Sequence, residues 1–170
     1  MNSSSVRIEM SGAAARPHKS APNGPSHGSR LEVVVLFTDV PSTIAALETA
    51  AQLAKGLCGR IRLLAAHHVP YPLPLDEPSV NVPLLKKRIQ WILESCAEEA
   101  WNSQVDTVAE VCLCRDARET VPALLAPQSV VVIGTRSRWW PKPEDWLAKK
   151  LRKLGHNVVR TGYRKEVAHA

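Results

Sequence analysis

The stretch with the most individual chemistry follows Gly134: Thr135-Arg136-Ser137-Arg138-Trp139-Trp140-Pro141. A guanidinium grips a phosphate or carboxylate through two parallel N–H bonds, so Arg136 and Arg138, with the Ser137 hydroxyl between them, suit an oxyanion. In the competing reading Trp139 and Trp140 plug the crevice while the arginines pair with Asp39 or lie in solvent. Thr38 and Asp39 close the first apolar run of the chain and complete a candidate anion or nucleotide crevice of Thr38, Asp39, Gly134, Arg136, Ser137 and Arg138.

Three further groupings carry chemistry. Lys149, Lys150, Arg152 and Lys153 alternate with Leu147, Leu151 and Leu154, which on a helix separates a leucine stripe from a cationic face. Such a face is either solvated or a contact for phosphate or nucleic acid. Base stacking would need an exposed aromatic on that surface, and Trp146, next to Leu147, is expected in the core instead, so nucleic acid is not favoured as a partner. Cys112 and Cys114 share one face of a strand, but no C-x-x-C or histidine at ligand spacing accompanies them. With Cys58 and Cys96 on apolar helix faces, all four read as small buried hydrophobes, and no metal site is expected. His67 and His68 are adjacent, so a regular strand turns them to opposite faces and only one can line the crevice. No nucleophile elbow, zinc-protease motif, Walker loop or nucleophile–base pair is present, so no enzymatic activity is expected.

The elements that must position these groups are legible from periodicity. Leu31–Phe37 and Ser129–Gly134 are nearly continuous apolar, β-branched runs, the pattern of strands buried on both faces of a parallel sheet. Arg60–His67, Thr107–Cys114 and Asn157–Thr161 complete five strands. Between them lie an alanine-rich helix N-capped by Ser42, an amphipathic helix on Leu85, Ile89, Ile92, Cys96 and Ala100, a short one opening at Asp116–Glu119, and a last over about Glu144–Leu154. Pro122 falls inside the third of these. The alternating β-α order predicts one doubly wound α/β domain over residues 31–162, with its ligand crevice beyond the carboxyl ends of the strands.

Composition bounds the rest. A chain of 170 residues with 45% hydrophobic and 22% charged residues can build a core without staples. Residues 1–30, rich in Ser, Ala, Gly and Pro, read as a disordered arm in which Met10 is an alternative start, and residues 163–170 as a flexible tail. Neither a membrane span nor a secretory signal is visible, so a cytoplasmic protein with reduced cysteines is expected. The net charge of +6 is uneven: residues 135–165 hold ten Lys and Arg against two acidic residues. That end of the chain should face anions.

Val33-Val34-Val35-Leu36-Phe37-Thr38-Asp39 with its alanine-rich helix, the Asp116–Leu125 segment and Val130-Val131-Val132-Ile133-Gly134-Thr135-Arg136-Ser137 together resemble the universal stress protein family over about Leu31–Gly162. The resemblance implies a five-stranded parallel sheet of order 3-2-1-4-5, dimerisation through the last strand, and action without a defined reaction, through a homodimer or a protein partner under stress. One subgroup of that family binds ATP with a fourth strand ending in Gly, two residues, Gly, nine residues, Gly and a Ser or Thr. Here the first glycine is Gly134, while the later positions fall on Ser137, Leu147 and Ala148. Backbone amides approach an anion closely where glycine opens the way, and leucine does not. The family's acidic residue after strand one falls on Asp39, or on Thr38 when the alignment runs ungapped. A degenerate nucleotide site with no bound cofactor is thus expected, the alternative being a phosphorylated small molecule, ATP or another nucleotide, held by Arg136 and Arg138.

Overall fold

The computed structural model describes residues 5–6, 31–57, 59–72, 83–84, 87, 89–91, 105–136 and 143–163. Six strands form one sheet: β1 (Ser5–Val6), β2 (Glu32–Leu36), β3 (Arg60–His68), β4 (Thr107–Cys114), β5 (Val130–Arg136) and β6 (Asn157–Tyr163). Their spatial order is β1-β4-β3-β2-β5-β6. All neighbours run parallel except β1, which pairs antiparallel with β4, Ser5 opposite Cys112 and Val6 opposite Val111. Counted from Glu32, the five parallel strands stand in the order 3-2-1-4-5 that the resemblance implied. The addition is β1. The outer edge of β4 offers unpaired N–H and C=O groups, and two residues of the arm take them up instead of water. The rest of the arm and the tail from residue 164 on lie outside the described residues.

Val33–Leu36 alternates between two cores, which is why the run is apolar at every position. Val33 and Val35 face the side covered by α1 (Val40–Gly56) and by Ile89 of a helical stretch whose described residues fall within 83–91. Val34 and Leu36 face the side covered by α2 (Ala117–Ala123) and α3 (Pro143–Lys153) through Val121, Ala148 and Leu151. Leu85, Ile92, Cys96 and Ala100 of the expected amphipathic helix lie outside the described residues, as does Cys58.

Three helix ends are set by local chemistry. α1 is capped by Asp39 rather than Ser42: the Asp39 carboxylate accepts from the Ser42 amide at 3.2 Å and from its hydroxyl at 2.9 Å. Pro41 in the first turn, with φ already fixed, moves the start forward by three residues. α2 begins at Asp116, whose carboxylate accepts from the Arg118 amide at 2.8 Å. It runs through Pro122, which has no N–H to give to the Arg118 carbonyl four residues back. The Lys150 ammonium of α3 donates to that carbonyl instead, at 2.8 Å. α3 ends in a Schellman turn, with Gly155 at φ +86° and bonds from Gly155 to Arg152 and from His156 to Leu151.

At the amino ends of the strands the charges are paired. Arg62 bridges Glu110 at 2.6 Å and Glu32 at 3.5 Å, and donates to the Leu124 carbonyl at 3.1 Å. Arg60 meets Glu32 at 2.7 Å. These contacts tie β2, β3 and β4 together in register.

Candidate functional site

The carboxyl ends of the strands open on a cleft of about 460 Å³. Leu36, Leu64, Val121 and Ile133 supply apolar walls, and Thr38, His68, Arg115, Asp116 and Arg118 the polar groups. The cleft stands where the chain reverses direction across the sheet, since β2 has β3 on one side and β5 on the other.

Two of the sequence-derived site residues are brought together directly. The Thr38 hydroxyl donates to the Gly134 carbonyl at 3.2 Å, and the Thr38 amide donates to the Thr43 hydroxyl at 3.2 Å. Asp39, one residue on, is engaged as the cap of α1. Gly134 has a packing role: a Cβ placed there would stand 1.8 Å from the Ser42 carbonyl oxygen, so only glycine lets the first turn of α1 lie against β5. Arg136 is the last residue of β5, opposite Tyr163, and its side chain lies outside the described residues. Ser137, Arg138, Trp139 and Trp140 also lie outside them.

The phosphate-loop positions take an unexpected place. Leu147 lines the cleft and Ala148 is buried, both inside α3. Position 147 comes four residues after the helix opens at Pro143, so its amide and that of Ala148 are already engaged within the helix. Neither amide can cradle a phosphate.

Two arginines outside the sequence-derived crevice, Arg115 and Arg118, supply cations here, joined by Lys150 of the cationic face. Arg115 donates to the carbonyls of Val69 at 2.7 Å and Pro70 at 2.9 Å, and its guanidinium lies 4.1 Å from the Tyr71 ring centroid. Arg118 lies over Trp146 at 5.1 Å. The Lys150 ammonium stands at the same distance, 5.1 Å, from that ring. Trp146 is 44% exposed, which corrects the expectation that it belongs to the core. It sits on the arc of α3 opposite buried Ala148 and Leu151, where its indole is covered by cations rather than by leucines. The signal available is topological: Arg115–Arg118 follows the end of β4, and every strand end of a parallel sheet delivers its loop to the same edge.

His68 lines the cleft, while its neighbour His67 is half-buried. Cys112 and Cys114 are buried and free. Burial pushes the Cys112 thiol up to about 11, with Cys114 and Glu110 adding to the rise and Arg62 opposing it. Burial also raises Cys114, against a hydrogen bond from Thr120. Both thiols stay protonated at neutral pH and behave as the apolar groups their strand positions suggest. Among the described residues no cluster of three or more His, Cys, Asp or Glu could hold a metal ion, and no helix is long and apolar enough to cross a membrane.

No family model matches the chain, and no curated protein matches its sequence. Solved structures do resemble it. A protein of the universal stress protein family from Burkholderia pseudomallei is 16% identical with a TM-score of 0.55, over 80% of this chain and 98% of its own. A universal stress protein from Archaeoglobus fulgidus is 12% identical with a TM-score of 0.52, over 76% of this chain and 92% of its own. A universal stress protein in complex with cAMP is 16% identical with a TM-score of 0.52, over 81% of this chain and 100% of its own. The chain has the universal stress protein fold.

Proposed function

We propose that this chain is a non-enzymatic, cytoplasmic stress-response protein of the universal stress protein type, in which the nucleotide site is degenerate and association with itself or a protein partner does the work. The observation that carries the reading is the fate of three of the four phosphate-loop positions, the fourth, Ser137, lying outside the described residues. Gly134 is consumed by the close approach of Ser42, and Leu147 and Ala148 are built into α3. β6 ends the sheet on the side away from β5, so its outer edge is the surface on which a homodimer would form.

The test is a thermal-shift series with ATP, ADP, AMP, cyclic nucleotides and inorganic phosphate, run beside a light-scattering mass. A ligand that binds the native state must raise Tm by mass action. A dimeric mass with no shift is the expected outcome. Stoichiometric ATP binding that survives Arg136→Ala would overturn the reading.

A second reading draws on the cleft itself. Its volume and its apolar walls, with Arg115, Arg118 and His68 at hand, suit a nucleotide or another phosphorylated ligand, with Arg136 and Arg138 standing in for the missing loop. One structure similar to this chain holds cAMP. A salt-sensitive Tm shift that is lost in the Arg136→Ala/Arg138→Ala double variant would favour this reading over the first.

A further inference from the structure

We propose that the outer face of α3, extended by Arg118 of α2, is a docking surface for single-stranded nucleic acid. The surface adjoins the cleft at Arg118, which lines both, and extends away from it along α3. Its centre is Trp146, 44% exposed, with the Arg118 guanidinium and the Lys150 ammonium each 5.1 Å from the ring centroid. Lys149 and Lys153 continue the same face and are exposed. At about 100° per residue, positions 146, 149, 150 and 153 share an arc of about 100° that lies opposite buried Ala148 and Leu151. Lys149 and Lys153 stand one turn apart, about 6 Å along the axis.

Four cations around one half-exposed indole match the two demands of a single strand. Its phosphates need a positive track, and its unpaired bases need flat partners. Indole and guanidinium planes both stack on bases, so Arg118 and Trp146 form one platform. The acidic side chain described on this helix does not oppose the field, because Asp145 is held by Arg160 of β6. Charge alone would serve an acidic protein equally well, but carboxylates do not stack on the exposed part of the indole, and a base does. The sequence supports the sign of the field, since residues 135–165 carry ten Lys and Arg against two acidic residues.

The test is fluorescence anisotropy of labelled oligo(dT) and oligo(U), about 20 nucleotides long, with the full chain at about 50 and about 200 mM salt. Neutralising about four phosphates gives a log–log salt slope near −3, so affinity should fall about 50-fold across that range. Trp146→Ala should weaken binding about tenfold at an unchanged slope, and Trp146→Phe should keep most of the affinity. Lys149→Gln with Lys153→Gln should flatten the slope by about 1.4. These exposed positions leave the fold intact, which far-UV circular dichroism checks. If Trp146→Ala fails to fold, the phenylalanine and lysine variants decide. The proposal is overturned by no anisotropy change, by equal affinity for a duplex of the same length, by parental affinity in Trp146→Ala, or by equally tight binding of polyglutamate.

Discussion

The two ends of the sheet are both rich in charge and use it in opposite ways. At the amino ends, Arg60 and Arg62 meet the carboxylates of Glu32 and Glu110, and Arg62 and Glu110 are nearly out of water, with side chains 12% and 6% exposed. At the carboxyl ends, the contacts described for Arg118 and Lys150 are with an indole ring and a backbone carbonyl. A carboxylate cancels a guanidinium's field, whereas a carbonyl or a ring orients the cation and leaves its charge in place. Charge at one end of the sheet therefore fixes register, and at the other it remains on offer to an anion.

The carboxyl end breaks most completely at Gly134. Gly134→Val drives a side chain into the Ser42 carbonyl, and a loss of at least about 4 kcal/mol in urea unfolding is expected. At the amino end, Arg62→Met strands Glu110 without its partner and should cost about 3–5 kcal/mol. Pairing it with Glu110→Met should recover most of that loss, which a double-mutant cycle reads directly. A single-variant loss below about 1 kcal/mol would mean that the pair does not fix the fold.

The smaller effects sharpen the contrast. Lys150→Met should cost about 1 kcal/mol by leaving the Arg118 carbonyl without a donor, and that cost should shrink when Pro122→Ala restores an amide to the same carbonyl. A further effect depends on pH. Cys112 loses its proton near 9.0 when unfolded and about 11 when folded. The unfolded chain therefore releases the proton first, so the stability this thiol contributes is full below pH 9.0 and is lost as pH rises toward 11. Tm should decline over that alkaline window in the parent and less steeply in Cys112→Ala. For the same reason Cys112 and Cys114 should resist thiol reagents until the protein unfolds.

What was legible in the sequence follows from the range of the forces involved. Val33–Leu36 and Val130–Ile133 announce themselves because a strand packed on both faces must be apolar at each position, and the helices between them leave few topologies open. Ser42 and Asp39, three residues apart, are both good caps for α1, and only Pro41 decides between them. Its neighbour Leu147 suggests a core place for Trp146, whereas its position opposite Ala148 and Leu151 turns it outward, and a cation reaches it from Arg118 on another helix. Arg115 depends on Val69, Pro70 and Tyr71, some 45 positions earlier. No local pattern reports a partner that distant. Gly134 matches the first glycine of a phosphate loop because both uses of glycine, close approach to an anion and close approach to a helix, leave the same letter.

The two residues of β1 bear on stoichiometry. They cover Val111 and Cys112 of β4, so among the described residues the outermost strand on that side is two residues long, against seven for β6 on the other. A sheet open on both sides can add copies without limit and grow into a filament. A strand of two residues offers few ladder bonds to a further chain, so a copy would pair at β6, and that two-fold pairing uses up the long edge of both copies. Assembly through β6 would then stop at two.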